Sequence, residues 1–337
     1  MSPNVEIIAE LAQGFEGRPE QARLLLRAAA TAGADAAKYQ LVYADELAAP
    51  DYKYYDLFRS LEMDDAVWAG LAADASSLGI QLQLDVFGPR SLELADRIGA
   101  AAIKLHATDL SNIGLLRAVA ASRARRVLLG AGGAHASEIG TALEVLAAKP
   151  VVVLLGFQAY PTPDDTNQIA RVTDLATRLR HAHSNLQVGF ADHCAPDLPL
   201  RNALAATAIG AGARVIEKHL TLGRAMRLED HEAALNPDEF AEFVRVVRAC
   251  VSAIGESSAA DDFGMSPSEH GYRVMIRRHV VASRDLPAGT VIAAADVTLK
   301  RTAAPEAVMD PRDALGRMLT ADLQKDAPVL AAHLATP

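Results

Sequence analysis

The chain has 337 residues, half of them hydrophobic and 5% aromatic, with a formal net charge of -9. This length suits one large domain plus a small one, and the acidic balance excludes a general nucleic-acid binder, which needs a basic footprint. Cys194 and Cys250 form neither a metal spacing nor a disulfide framework, and the sequence carries neither a basic, apolar leader nor a membrane-length apolar run, so a cytoplasmic protein without a membrane partner is expected.

In chain order, eight short apolar, β-prone runs recur: "VEIIAEL", "DAAKYQL", "QLQLDVF", "AAIKLHA", "RVLLGAG", "VVVLLGF", "LQVGFAD" and "RVIEKHL". Amphipathic helical patterns lie between them, among them "PEQARLLLRAAATAG", "DDAVWAGLAADASSLG", "RSLELADRIG" and "NPDEFAEFVRVVRACVSAIG", several ending in Gly. Near-continuous apolar strands alternating with helices indicate a parallel sheet, and eight such units over residues 1–255 predict a (β/α)8 TIM barrel, with a doubly wound open sheet as the alternative. Residues 256–276 are rich in Ser, Gly, Asp and Pro with no apolar period and read as a linker. Residues 277–337 carry short apolar runs between "LPAG" and "AAAD" turn signals, which predicts a small β-rich domain.

A TIM barrel gathers its functional side chains at the C-terminal strand ends. Here those ends offer, in order, Glu10; Lys38 and Gln40; Asp85; Lys104, His106 and Asp109; the glycines of "GAGGA"; Gln158 and Tyr160; Asp192 and His193; Glu217 and His219. Glu217 and His219, two apart on a strand, share a face, while Lys218 points the other way. Beside Asp192 and Glu217, the two histidines on the last two strands form a candidate divalent-metal site with positions left for water and substrate, suiting a Lewis-acid role at a carbonyl. Lys38 or Lys104 could hold a phosphate or carboxylate as a point charge, or serve as a Schiff-base lysine. The "GAGG" backbone could present N–H groups to an anion. His106 shares a face with Lys104 and receives no role.

The fragments "IIAEL", "AGADAAKYQ", "AAIKLHATDL", "YPTP", "GFADH", "IEKHLTL" with "EDH" and "NPDEF", then "PSE", "RRHVVASRDLPAGTVI" and "LKR", together resemble the sialic acid synthase (N-acetylneuraminate synthase-like) family over nearly the whole chain. The resemblance implies a metal-dependent barrel that condenses phosphoenolpyruvate with an N-acylated aldose to give a 3-deoxy-2-keto sugar acid, followed by an antifreeze-like (SAF) domain. It implies that His193 and His219 bind the metal, usually manganese, with magnesium as the alternative, and that Glu217 lies beside them. Lys38, Lys104 and Tyr160 would hold phosphoenolpyruvate, with Gln40 nearby and Gln158 where the family usually has Asn. Glu10 and Asp230 would contact the sugar, and Arg301 would reach the sugar's acyl group from the small domain of the partner in a domain-swapped homodimer.

Several positions depart from the family pattern. Asp85 replaces a threonine at the phosphoenolpyruvate pocket, Asp109 replaces a glutamate, and Ala107, Ala131 and Ala191 fall where the family has serine hydroxyls. Each hydrogen bond lost to a charged ligand costs about 1.5 to 3 kcal/mol. The departures motivate two alternatives: a related barrel aldolase or lyase that does not use phosphoenolpyruvate, and a catalytically silent sugar-acid binding protein.

Overall fold

Each of the eight apolar runs forms a strand: β1 Glu6–Ala12, β2 Ala36–Gln40, β3 Gln81–Asp85, β4 Ala102–Leu105, β5 Val127–Gly130, β6 Val151–Gly156, β7 Leu186–Asp192 and β8 Val215–His219. The computed structural model describes residues 4–180, 185–198, 200–255 and 259–336. All neighbouring strands pair in parallel, and β8 pairs with β1, so the sheet closes into a barrel and the open-sheet alternative falls. The strands are buried on both faces, which is why they read as continuous apolar runs rather than alternating ones.

Inside the barrel, Ile8, Ala36, Ala102, Leu128, Val152, Leu154 and Val215 pack as a separate apolar plug. Outside it, the opposite strand faces join the helices in a larger core that includes Tyr39, Trp68 and Phe15, whose rings meet edge to face. The helix Pro237–Ile254 shows how local sequence sets an element: Asn236 precedes Pro237, and Glu239 reaches back to the Asn236 amide at 2.8 Å, closing a capping box. Its apolar stripe Phe240, Phe243, Val244, Val247 and Val251 then faces the core at helical spacing.

The chain divides into two compact units, Met1–Glu256 and Ser257–Pro337. Part of the expected linker, residues 256–258, lies outside the described residues. Its remainder is not featureless: Pro267–Ile276 is a helix, opened by Ser266, whose hydroxyl accepts from the Glu269 amide while Glu269 accepts from the Ser266 amide. The stretch expected as a linker thus holds a helix as well as turns. In the second unit, β9 His279–Ala282 and β10 Val297–Lys300 form an antiparallel pair, and the rest of the β-structure consists of single bridges such as Leu286 with Leu323 and Val291 with Met318. Val280, Ala282, Leu286, Ile292, Leu319 and Val329 are among its buried core residues. Among the described residues no helix is long and apolar enough to cross a membrane.

Candidate active site

One layer above the apolar plug, five strands each turn an ionisable side chain toward the barrel axis. Glu10 stands two residues beyond Ile8, Lys38 two beyond Ala36, Lys104 two beyond Ala102 and Glu217 two beyond Val215, so the two-residue strand period carries each from plug to mouth. Asp85 joins them through register, which sets it beside Lys104 as it sets Glu10 beside Lys38.

These five groups form a single charge network. Lys38 Nζ contacts Glu10 Oε2, lies 2.7 Å from Asp85 Oδ1, and is 3.6 Å from Glu217 Oε2. Lys104 Nζ donates to Glu217 Oε1 at 2.8 Å and stands 3.7 Å from Asp85 Oδ2 and 3.8 Å from Glu10 Oε2. Lys38 is wholly buried, whereas Lys104 keeps an exposed edge. Three carboxyls against two ammoniums leave one excess negative charge in a dry site. Burial pushes Glu10 up to about 8, against the pull of Lys38. Glu217 moves the other way: burial would raise it too, but Lys104 and Lys38 together hold it below the ordinary carboxylate range. Lys38 stays firmly protonated, because Asp85, Glu10 and Glu217 outweigh the cost of burying it. Protonation of Glu10 at neutral pH offsets the excess negative charge.

Beside the network stand His193, the residue after β7, and His219, the last of β8, with ring centroids 5.3 Å apart. Burial keeps both imidazoles neutral at physiological pH, His193 at about 4 and His219 well below its usual value. Tyr160 packs edge-on to both rings and donates its hydroxyl to the Asp230 carbonyl at 2.5 Å. The Nδ1 of His193 faces backbone, 3.1 Å from the Ala191 carbonyl and 3.3 Å from the Phe157 amide, which leaves Nε2 as its outward nitrogen. Two neutral imidazoles on adjacent strands fit as a nitrogen pair for a divalent cation. Among the described residues no group of three or more His, Cys, Asp or Glu converges as a fuller ligand set.

A small cavity of about 80 Å³ opens against this site, lined by Lys104, His106, Ala107, Gly130, Gly132, Leu154, Gly156, Phe157, Ala191 and His193. Its wall over β5 to β7 is built from small residues because the backbones nearly touch. A Cβ on Gly132 would lie 2.2 Å from the Gly156 carbonyl oxygen, and one on Gly156 would lie 2.6 Å from the Ala191 Cβ. Close packing thus requires these glycines, independently of any anion-cradling role.

The remaining candidates are dispersed. Gln40 accepts from Gln13 at 2.7 Å, and Gln158 buries its Nε2 without a partner among the described residues. Asp109 faces its own turn, taking contacts from Thr108 and Asn112 at 3.4 Å. Asp230 adopts a left-handed backbone, and burial together with Glu229 and Glu232 lifts its carboxyl to about 6. Arg301 belongs to the second unit, where its Nε donates to the Ile276 carbonyl at 3.2 Å. Asp192 is not beside the histidines as the sequence reading had it: it points outward to Lys218 at 3.0 Å. Asp85 is paired with Lys38 at 2.7 Å. Sequence reasoning missed Phe157 on the cavity wall, which is 57% exposed with a φ of 60°; no pattern in the sequence signals it.

Comparison with known proteins places this geometry in context. The profile of the NeuB family matches residues 25–259, and that of the SAF domain matches residues 277–335. The N,N'-diacetyllegionaminic acid synthase of Legionella pneumophila is 26% identical, with 97% of this chain and 94% of that protein covered. The pseudaminic acid synthase of Campylobacter jejuni is 25% identical over 95% of this chain and 94% of its own length. A solved structure, the putative spore coat polysaccharide biosynthesis protein E of Chromobacterium violaceum, superposes with a TM-score of 0.82 at 23% identity, covering 98% of this chain and all of that one, and so supports the fold. With its barrel matched over most of its length and its C-terminal unit matched as well, the chain belongs to the NeuB family and carries a SAF domain.

Proposed function

We propose that this protein is a carbon–carbon bond-forming synthase that joins phosphoenolpyruvate to an N-acylated aldose, giving a 3-deoxy-2-keto sugar acid of the nonulosonate type. The observation that carries the reading is the Lys104–Glu217 pair, 2.8 Å long, at the edge of a cavity that also holds His193. The relatives named as legionaminic and pseudaminic acid synthases support it. In the overall reaction the enol carbon bonds to the aldehyde carbon, water oxygen adds to the former enol C2, and phosphate leaves.

Lys104 is the network's exposed cation and holds the donor's anionic end as a point charge. Lys38, with no exposed surface, keeps Glu10, Asp85 and Glu217 in place from behind. His193 and His219 would hold a divalent metal, manganese by preference, which would supply Lewis-acid polarisation of the aldehyde. Tyr160 orients both imidazoles and, through the Asp230 carbonyl, fixes the loop that presents the Asp230 carboxyl to the acceptor. The reading extends to a cytoplasmic homodimer in which Arg301 of one subunit contacts the acyl group bound by the other.

Phosphate release from phosphoenolpyruvate, measured with manganese and a panel of N-acylated aldoses, tests the reading. Release that depends on the aldose and disappears with a chelator and with Lys104→Ala is expected; none with any aldose would overturn it. The alanine wall and Asp85 favour a second reading, an aldolase or lyase with Lys104 as a Schiff base. Borohydride with a keto sugar acid would then leave a covalent adduct on Lys104, and an unmodified mass would remove that version.

A further inference from the structure

The cavity beside Lys104 is poor in groups that can hold an anion. Of its ten lining residues only Lys104, His106 and His193 carry polar side chains. Lys104 already faces three carboxyl groups within 3.8 Å, and His193 turns one ring nitrogen to backbone and belongs to the imidazole pair. His106 is the remaining polar side chain, and it is solvent-accessible. Its ring is also oriented. It caps the short turn Ala107–Asp109, where Nδ1 accepts from the Thr108 amide at 3.5 Å and lies 3.1 Å from the Thr108 hydroxyl. With Nδ1 occupied as an acceptor, the proton of the neutral ring sits on Nε2. Among the described residues Nε2 has no partner.

We infer that His106 is a specificity-determining residue of this cavity, whose Nε2–H donates to the phosphate of the enolpyruvyl substrate where Ala107 and Ala191 offer no hydroxyl. The inference rests on the proposed synthase reading, which makes the cavity the donor site. Phosphate, rather than carboxylate, is the group assigned to His106 because Lys104, the cavity's ammonium, is placed to take one anionic end and His106 stands on the next accessible turn of the same strand end. Although the residue keeps an exposed edge, desolvation of the ring and the Lys104 charge hold His106 below its ordinary value, so the free protein presents a neutral donor. The ring adds no fixed positive charge to discriminate against a neutral ligand; it discriminates by hydrogen bonding.

Calorimetric titration of the full-length, manganese-loaded protein with phosphoenolpyruvate and with pyruvate tests the inference, using wild type, His106→Ala and His106→Gln of matched thermal midpoint. A hydrogen bond to a charged group predicts that His106→Ala weakens phosphoenolpyruvate about 10- to 100-fold, leaves pyruvate unchanged, and is largely rescued by His106→Gln, which retains an N–H donor. Unchanged phosphoenolpyruvate affinity in His106→Ala would overturn the inference while leaving the synthase reading in place. Equal losses for both ligands would overturn the phosphate assignment. Wild-type protein that binds pyruvate but not phosphoenolpyruvate would overturn the donor reading and this inference with it.

Discussion

Two lysines of this barrel, Lys38 and Lys218, have side chains with no exposed surface, and they lie on opposite faces of the same wall. Lys38 points to the axis and meets three carboxyl groups from three strands. Lys218 points to the helices and meets one, Asp192 at 3.0 Å, together with the Cys194 carbonyl at 2.8 Å and its sulfur at 3.2 Å. The outward lysine forms a local pair: its ammonium is matched by Asp192 Oδ1 and by the Cys194 carbonyl and sulfur, while Asp192 Oδ2 is left without a partner among the described residues, and the role is to lock β7 to β8 at the level of the histidines. The inward lysine sits in a network with one carboxyl too many, so a proton is shared within it. Burial alone does not mark a functional lysine; the count of opposing charges around it does.

Removing Lys218 gives the largest effect on stability. Lys218→Met strands Asp192 as a buried, unpaired carboxylate and costs about 3 to 5 kcal/mol of unfolding free energy by denaturant titration. Replacing Asp192 by Leu in the same chain recovers most of the loss, because the pair is then exchanged for apolar packing. Lys38→Met costs less at pH 6, since Glu10 is already neutral there and the carboxyls beside it can take up a proton in place of the lost ammonium, and its cost grows as the pH is raised. Equal, pH-independent losses for the two variants would break the contrast between a local pair and a proton-sharing network.

A pH series sharpens the same contrast. In the folded state Glu10 holds its proton up to about 8, whereas its unfolded value is 4.5. Between those values the folded chain binds the extra proton, so raising the pH favours unfolding. Wild-type stability, referenced to Glu10→Gln, is fully present below 4.5 and falls through the window ending at about 8. The fall is at least about 1.4 kcal/mol, the equivalent of one pKa unit. A flat difference across that window would mean that Glu10 is ionised and that the excess charge is neutralised elsewhere.

Much of this arrangement was legible in the sequence. Eight apolar runs with helical patterns between them specify the barrel, and the two-residue strand period puts Glu217 and His219 on one face and Lys218 on the other. The helix in the expected linker carries a local signal too: "SPSE" at 266–269 is a capping box with proline in the first turn, set among Ser- and Pro-rich residues that also fit turn chemistry. The pairing of Asp85 with Lys38 was not legible. They are 47 residues apart, and their meeting depends on the β2–β3 register, a tertiary property that no local pattern encodes. Asp192 was not legible for a related reason: it ends β7 on the outward face, where it pairs with Lys218, so its adjacency to His193 in sequence does not put the two side chains on one face.

The smallest effect tests the local pair without disturbing the fold. Cys194 is fully buried beneath Lys218, and burial, with Asp192 adding to it and Lys218 opposing, pushes its thiol up to about 12. At pH 8 almost none of it is thiolate, the form that reacts. Cys250, on the helix Pro237–Ile254, is only partly buried. A maleimide should therefore label the native protein once, at Cys250, and a second time, at Cys194, only in denaturant, with mass spectrometry reading the two sites. In Lys218→Met at sub-denaturing temperature the Cys194 label should arrive sooner, because the β7–β8 lock that shields the sulfur has lost its cation and must open more often. Rapid labelling of Cys194 in the wild type would mean that this face of the barrel breathes on its own, and that the outward lysine is a weaker fastener than its geometry implies.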